Sequence, residues 1–223
     1  MAEIDLSAAE LFRGISPEET ADLLRCLAAE RRRYERGERV LRAGDTTERL
    51  GIVLSGRVLI EKTDLWGNTA VLDSVGPGQI FAETYACTPG EPLMVDVTAP
   101  ERAEVLFLSA GRVLTPCDRA CGGHGRLLRN LLAVSARKNL RLSRKIFHTA
   151  PKTIRGRLLT YLSDQALRAG SRSFTIPFDR QQLADYLNVD RSALSAELGR
   201  LRREGVLLAE RNRFTILKDG PLP

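Results

Sequence analysis

The amino-acid sequence predicts an α+β protein with an all-β front half, one long helix, and a C-terminal helix–turn–helix followed by a hairpin. Short apolar runs separated by glycine-containing turns fill residues 31–108, a pattern typical of a sandwich or barrel. A helical pattern without breakers then runs from Gly125 to Phe147. Residues 178–217 carry two helical and two strand patterns. A chain of 223 residues is long enough for two modest domains and a connecting helix.

The chain begins with a predicted short helix. Ser16 suits its N-cap, Pro17 its first turn and Glu19 the third position of a capping box. Leucines between positions 23 and 27 supply an apolar face. Strands of about five residues follow, and the glycines between them allow the positive φ of tight turns. The predicted apolar strand runs are Val40-Leu41, Gly51–Leu54, Val58–Ile60, Val71-Leu72 and Val105–Leu108.

The long helix carries a heptad-like seam with 4-3-4-3-4 spacing. Its members are Leu128, Leu132, Ser135, Asn139, Leu142 and Ile146. Two interpretations are open, because such a stripe packs either against its own domain or against a second copy. We favour a dimer seam, since a polar residue such as Asn139 sets register and partner number in such seams. Pro151 ends the helix and marks a boundary, so we expect domains at residues 1–110, 111–148 and 149–223.

The C-terminal segment predicts a DNA-reading element. Asp179 caps a first helix, Asn188 suits a turn that needs positive φ, and Asp190 is placed to cap a second helix. A strand pair at residues 204–217 reads as a wing. The first turns of a second helix meet base edges in a major groove, while other basic residues bind phosphates. The predicted DNA-contacting set is Arg180, Gln181, Asp190, Arg191, Ser192, Ser195 and Arg200.

Charge divides the chain in the same sense. Residues 1–110 have 12 basic and 19 acidic side chains, whereas residues 111–147 have 9 and 1 and residues 148–223 have 13 and 8. An acidic front and a basic back suggest a sensing part and a part that binds a polyanion.

No apolar run is long enough to span a membrane, and residues 1–10 lack the basic residues of a signal peptide. We therefore expect a cytoplasmic protein, in which disulfides are rare.

The cysteines leave a second hypothesis open. Cys117 and Cys121 have a C-x₃-C spacing, and His124 follows closely. Together with Cys87 they form a candidate set for zinc, for an iron–sulfur cluster or for thiol redox chemistry. The competing interpretation is that these are small buried residues, because the spacing matches no standard zinc pattern. No catalytic constellation is found, so we predict that the protein is not an enzyme.

The chain resembles the cyclic-AMP receptor/fumarate-nitrate regulator (CRP/FNR) superfamily of bacterial transcription factors over about residues 10–217. The resemblance rests on the glycines of the strand region, on a cassette entry at residues 78–83, and on residues 180–195 of the helix–turn–helix. It implies a double-stranded β-helix (a β-roll or jelly roll), a long dimerisation helix and a winged helix–turn–helix. It also implies a homodimer on palindromic double-stranded DNA, with Arg191 reading bases and RNA polymerase as a further partner. Ser192 and Ala196 depart from the family's usual glutamate and arginine, so the operator should differ.

The sensor departs from the family more seriously. Cyclic-nucleotide-binding members have an Arg-Ser or Arg-Thr pair ten residues beyond the cassette glutamate, where this chain has Leu93 and Met94. No basic residue lies between Phe81 and Glu101, and a phosphate in such a cassette needs a charged partner or several N–H donors. Glu83 alone would bind a ribose hydroxyl. We therefore predict that the effector is not cyclic AMP or cyclic GMP, and that Glu83, Leu93 and Met94 line the effector site. A ligand-binding sensor without DNA activity is the remaining alternative.

Overall fold

The computed structural model describes residue 6, residues 9–115 and residues 123–218. The chain forms two compact units, Met1–Arg137 and Lys138–Pro223. The predicted division into three domains is a different subdivision and stays a prediction. In the first unit the helices are α1 (Pro17–Cys26), α2 (Glu83–Ala86) and α3 (Ala110–Leu114), after a 3-10 turn at Glu10–Phe12. Helix α4 (His124–Thr149) starts in the first unit and ends in the second.

The first unit contains two four-stranded antiparallel sheets, which form the predicted β-sandwich or roll. Their orders are β1-β8-β3-β6 and β2-β7-β4-β5. The strands are β1 (Glu30–Tyr34), β2 (Arg39–Leu41), β3 (Arg49–Ser55), β4 (Val58–Thr63), β5 (Thr69–Val75), β6 (Ile80–Phe81), β7 (Asp96–Thr98) and β8 (Ala103–Ser109). The apolar runs found β2, β3, β4, β5 and β8. They did not find β1, β6 and β7, which are short or strongly charged.

Alternation along β3 and β8 divides the first unit into two apolar cores. Val53 and Phe107 face the core between the sheets, where Phe81 and Phe107 meet edge to face at 6.1 Å. Ile52 and Leu106 face the opposite way, toward the 3-10 turn and helices α1, α3 and α4. Because successive strand residues point to opposite faces, one strand contributes to both cores.

The second unit holds three further helices and a three-stranded sheet of order β10-β11-β9. The elements are α5 (Ile154–Ala169), β9 (Ser173–Thr175), α6 (Arg180–Leu187), α7 (Arg191–Arg203), β10 (Leu207–Glu210) and β11 (Arg213–Ile216). Helix α5 ends at Gly170, which adopts a left-handed φ of 58°. Leucines from α5, α6 and α7 pack with Phe174 and Phe214 of the sheet into a single core.

Candidate nucleic-acid interface and sensor site

The turn between α6 and α7 has the geometry predicted for a helix–turn–helix. Asp179 accepts a hydrogen bond from the Gln182 backbone N–H at 2.8 Å, and the Gln182 side chain closes the capping box on the Asp179 N–H. Asn188 ends α6 with φ 52° and ψ 55°, the left-handed conformation that asparagine tolerates. Ala184 is fully buried, so the two helices meet closely at a residue without a bulky side chain.

Helix α7 buries one face and exposes the face predicted to read DNA. Leu194, Leu198 and Leu201 are buried in the unit's core, while Arg191 and Ser192 are exposed at the first turn. Ser195 and Asp190 are exposed as well. The Ser195 side chain already makes a hydrogen bond within α7, and the Asp190 side chain does not make the predicted cap. The Ser195 hydroxyl donates to the Arg191 carbonyl at 2.8 Å. Asp190 occupies the predicted N-cap position, but its side chain makes no cap hydrogen bond, so the prediction of a side-chain cap is wrong.

Two predicted phosphate-binding arginines make contacts inside the unit. Arg180 is half-buried, donates to the Arg211 carbonyl at 3.3 Å and lies 5.8 Å from the Phe214 ring centroid. Burial lowers the pKa of Arg180, although an arginine stays charged at any ordinary pH. Arg200 donates to Glu197 at 3.2 Å. Arg180 therefore connects α6 to the turn between β10 and β11, whereas Arg200 pairs within α7 itself. The role of both toward DNA stays a prediction.

An open cleft joins the start of α6, the start of α7 and the wing turn. It has a volume of about 700 Å³. Its lining residues are Pro177, Phe178, Asp179, Arg180, Gln181, Gln182, Arg191, Arg211 and Asn212. Gln181 is exposed at its rim and donates to Asp185 at 2.8 Å. Three arginines around one concave surface make it suited to an anionic ligand.

Sequence reasoning missed an ion-pair network that holds α7 against α5. Glu197 of α7 is only 7 % exposed although it is a charged residue. Arg155 of α5 lies 3.7 Å from it and binds Glu204 with both terminal nitrogens, at 3.1 and 2.5 Å. A buried carboxylate needs such a partner. Glutamate among the leucines of α7 was the only signal in the sequence.

The cassette that follows β6 places the effector candidates in unlike surroundings. Glu83 is buried at the start of α2, and Leu93 is buried between backbone hydrogen bonds to Asp45 and from Gly44. Met94 is 66 % exposed, whereas Leu93 is 3 % exposed. Ala82 adopts a left-handed φ of 57° at the position where the cassette pattern has glycine. An alanine pays a steric cost in that conformation which glycine does not.

Helix α4 presents two different faces. Leu127, Leu131 and Val134 are buried in the core of the first unit. Most of the predicted seam is exposed in the single chain, with Leu132 at 70 % and Ile146 at 68 %. The other seam members are Leu128, Asn139 and Leu142, which are exposed, and Ser135, which is half-buried. The apolar stripe is thus separate from the face that packs within the chain.

The proposed metal or redox set is only partly described. Cys117 and Cys121 lie outside the described residues. Burial and nearby Glu83 raise the pKa of the half-buried Cys87 thiol, which disfavours the reactive thiolate. His124 is buried and its Nε2 lies 2.8 Å from the Val113 carbonyl. Within the described ranges, no three His, Cys, Asp or Glu side chains are grouped as metal ligands would be.

Two family models match the chain in the order that this geometry suggests. The model described as a cyclic nucleotide-binding domain matches residues 31–119, and the one described as a Crp-like helix-turn-helix domain matches residues 156–219. The chain belongs to the CRP/FNR family of transcription regulators. It is a regulator of this type with a DNA-binding helix–turn–helix.

Known relatives extend the family likeness over most of the chain. The regulator is 29 % identical over 206 residues to the cyclic AMP receptor protein of Thermus thermophilus, covering 91 % of this chain and 89 % of that one. It is 26 % identical over 223 residues to a CRP-like cAMP-activated global transcriptional regulator of Mycobacterium tuberculosis, covering 94 % and 96 %. These names describe regulators and indicate no enzymatic activity.

A solved structure of the same fold is the c-di-GMP-responsive global regulator CLP of Xanthomonas campestris. Its TM-score is 0.53 at 22 % identity, with 90 % of this chain and all of that chain covered. At that identity the likeness concerns the fold alone. In the described part of this CRP/FNR regulator, no helix is both long and apolar enough to cross a membrane.

Proposed function

We propose that this CRP/FNR-type regulator is a homodimer that reads a two-fold symmetric operator with helix α7 and responds to an effector other than cyclic AMP. The observation that carries the DNA part is the exposed first turn of α7, where Arg191 and Ser192 stand free of the unit's core. Such first turns reach base edges in the major groove. Arg191 is assigned to a guanine, which arginine binds through two acceptors.

Phosphate contacts fall to the exposed arginines around the reading helix. Arg202 and Arg203 lie at the end of α7, and Arg211 and Arg213 lie at the wing. Arg180 and Arg200 are assigned a bracing role, since each already has a partner within the unit. Phosphate contacts set affinity and register, whereas the contacts of Arg191 set sequence preference.

The exposed seam of α4 supports the dimer. Leu132, Leu142 and Ile146 are more than half exposed in the single chain, and their spacing is that of a coiled-coil seam. Packing them against the same stripe of a second copy buries apolar surface, and each Å² of apolar surface buried stabilises the dimer by about 25 cal/mol. A two-fold dimer then places two reading helices about 34 Å apart, one turn of DNA.

The effector proposal rests on the cassette. The Thermus relative is named for cyclic AMP, but this chain offers no basic side chain between Phe81 and Glu101. Leu93 is buried and apolar at the position where the resemblance implies a phosphate-binding arginine. A cyclic phosphate placed there would lose hydration without gaining a counter-charge. Isothermal titration calorimetry should therefore detect no micromolar binding of cyclic AMP or cyclic GMP, and micromolar binding of either refutes this part.

The DNA proposal is tested with an operator selected from random duplexes by the purified protein. Arg191→Ala should weaken binding to that operator by about 1–3 kcal/mol and relax base choice at one position, with little change on scrambled DNA. The matched variant Arg202→Ala should weaken binding to both duplexes alike. It should also reduce the salt dependence of the affinity by the amount expected for the loss of about one phosphate contact. Equal loss on both duplexes for Arg191→Ala would make it a phosphate contact. Failure to select any sequence would refute sequence-specific binding.

A further inference from the structure

The last residues of α4 contain a buried histidine that the proposed function does not use. His148 is 2 % exposed, whereas Arg144, Lys145, Ile146 and Phe147 before it are exposed. Its Nδ1 lies 2.9 Å from the Tyr186 hydroxyl of α6. Its Nε2 lies 3.2 Å from Asp164 Oδ2 of α5, an ion-pair distance without hydrogen-bond alignment. One imidazole therefore connects three helices of the second unit.

Aromatic rings enclose this imidazole. Tyr161 meets it edge to face at 5.3 Å and 87°. Tyr186 lies 5.4 Å from Tyr161 and 5.0 Å from Phe178, so the three rings form one cluster. Tyr161 and Phe178 stack at 6.1 Å. Such a cluster holds His148 in one orientation and leaves little room for water.

We propose that His148 is a proton-sensitive positioning residue, which in its neutral form holds helix α6 of the helix–turn–helix against the end of α4 and releases it when protonated. This inference rests on the proposed DNA-binding function. Tyr186 belongs to α6, which precedes the reading helix α7 by a three-residue turn. A change at the Tyr186 hydroxyl therefore acts on the helix pair that presents Arg191.

The proton balance explains the sensitivity. Neutral imidazole has one N–H donor and one acceptor nitrogen, whereas the imidazolium has two donors. Protonation thus forces the Tyr186 hydroxyl to accept from Nδ1 and draws Nε2–H toward Asp164. It also places a positive charge in an aromatic cluster, which is costly without full compensation.

The charged and titratable groups around His148 act in both directions. They are Arg144 and Lys145 on α4, Tyr161, Asp164 and Arg168 on α5, and Tyr186 on α6. Burial is the largest influence and lowers the pKa of His148, and Arg168 and Arg144 lower it further, while Asp164 raises it. Arg168 also binds Asp164 at 2.9 Å, which diverts part of that carboxylate's charge. Burial likewise raises the pKa of Tyr186, so its hydroxyl keeps its proton at neutral pH.

The sign of the pH effect follows from this direction. The unfolded histidine, with a pKa of about 6.5, takes up a proton at a higher pH than folded His148 does. The stabilisation that neutral His148 gives the folded second unit is therefore complete above about pH 6.5 and is lost as the pH falls through the folded pKa. Each pKa unit between the DNA-bound and free states changes affinity about tenfold.

The chain allows a clean test because it contains only two histidines. Operator affinity is measured by fluorescence anisotropy from pH 5.5 to 7.5 at constant ionic strength. We expect the wild-type affinity to fall toward pH 5.5, by up to about tenfold, and the His148→Gln profile to be flat, because glutamine keeps polar contacts without titrating. His124→Gln is the matched control, and its profile should keep the wild-type midpoint. A flat wild-type profile, or an unchanged midpoint in His148→Gln, overturns the proposal.

A second measurement covers the case in which His148→Gln fails to fold. Nuclear magnetic resonance gives the two histidine titrations directly, and Tyr186→Phe removes the hydroxyl partner of Nδ1. We expect the His148 titration and the DNA-binding midpoint to shift together in Tyr186→Phe. A shifted titration with an unshifted binding midpoint overturns the positioning role. Absence of specific binding at pH 7.5 refutes the proposed function itself, whereas specific binding that ignores pH refutes only this inference.

Discussion

Substitution of Gly51 tests how tightly the strand that precedes the cassette is packed. Gly51 lies in β3 opposite Phe81 of β6 and Phe107 of β8. An added Cβ would lie 2.3 Å from Cζ and 2.5 Å from Cε1 of Phe81, where ordinary contact begins at 3.4 Å. Phe81 has no room to retreat, because it is fully buried and packed edge to face on Phe107.

The expected cost of Gly51→Ala combines two opposing effects. Overpacking a well-filled core destabilises a protein by about 1–3 kcal/mol. In a strand, alanine is more favourable than glycine by about 0.5–1 kcal/mol, because the unfolded chain with alanine has less conformational freedom to lose. We therefore expect Gly51→Ala to lower the free energy of unfolding by about 2 kcal/mol. This value lies in the upper part of the net range, because the overlap between the added Cβ and Phe81 exceeds 1 Å. Urea unfolding followed by circular dichroism, with hydrogen exchange of the β3 amides, measures this loss.

Two further variants show whether the clash with Phe81 is the cause. Gly76→Ala is the matched control, because its added Cβ would come only within 3.9 Å of a side-chain atom, and we expect a change within about 0.5 kcal/mol. Phe81→Leu removes the clashing ring atoms. The stability loss of the Gly51→Ala/Phe81→Leu double variant should therefore be about 1–3 kcal/mol smaller than the sum of the losses of the two single variants. Additive effects, or a Gly51→Ala protein as stable as wild type, would refute this packing argument.

Three other substitutions test the reading unit and the seam. Asn188→Ala should be about 1 kcal/mol less stable than Asn188→Gly, since only glycine adopts the left-handed turn without steric cost. Urea unfolding compares the two, and equal stabilities contradict it. Asp179→Ala should lose about 1 kcal/mol with the capping box, and hydrogen exchange at Gln182 checks this. Leu132→Glu should shift the sedimenting species from dimer to monomer, whereas Leu65→Glu, also exposed, should not.

The parts of the fold that sequence reasoning found are those fixed by local chemistry. Asp179 and Asn188 each decide a cap or a left-handed turn within a few residues of themselves. Strand β1 is the contrast, because its residues 31–33 are three arginines that no apolar pattern marks as a strand. It forms because β8 offers a ladder and Glu104 accepts from Arg31 and Arg33. Those partners lie more than 70 positions away in the sequence.

The same limit applies to the candidate site. The exposed start of α7 follows from its own periodicity, so the exposure of Arg191 could be predicted from the sequence, while its role toward DNA stays a prediction. The partners of Arg180 could not, because Phe214 and the Arg211 carbonyl reach it only after the wing has folded. In the sequence, His148 was marked only by its place near the end of the long helix, three positions before Pro151. Its partners Asp164 and Tyr186 belong to two different helices, and no spacing rule connects them.

The bracing contacts give a reason for the division of labour among the arginines of the reading unit. Arg155 and Arg200 neutralise Glu197, and Arg180 ties α6 to the wing turn. An arginine paired with Glu197 is poorly available to a phosphate, because leaving Glu197 buried without a counter-charge costs more than an exposed ion pair contributes. In the proposed function, exposed Arg191 turns toward a base edge without leaving a buried carboxylate unpaired. Under that proposal, one set of charged side chains holds α7 in its orientation, and a separate exposed arginine contacts the bases.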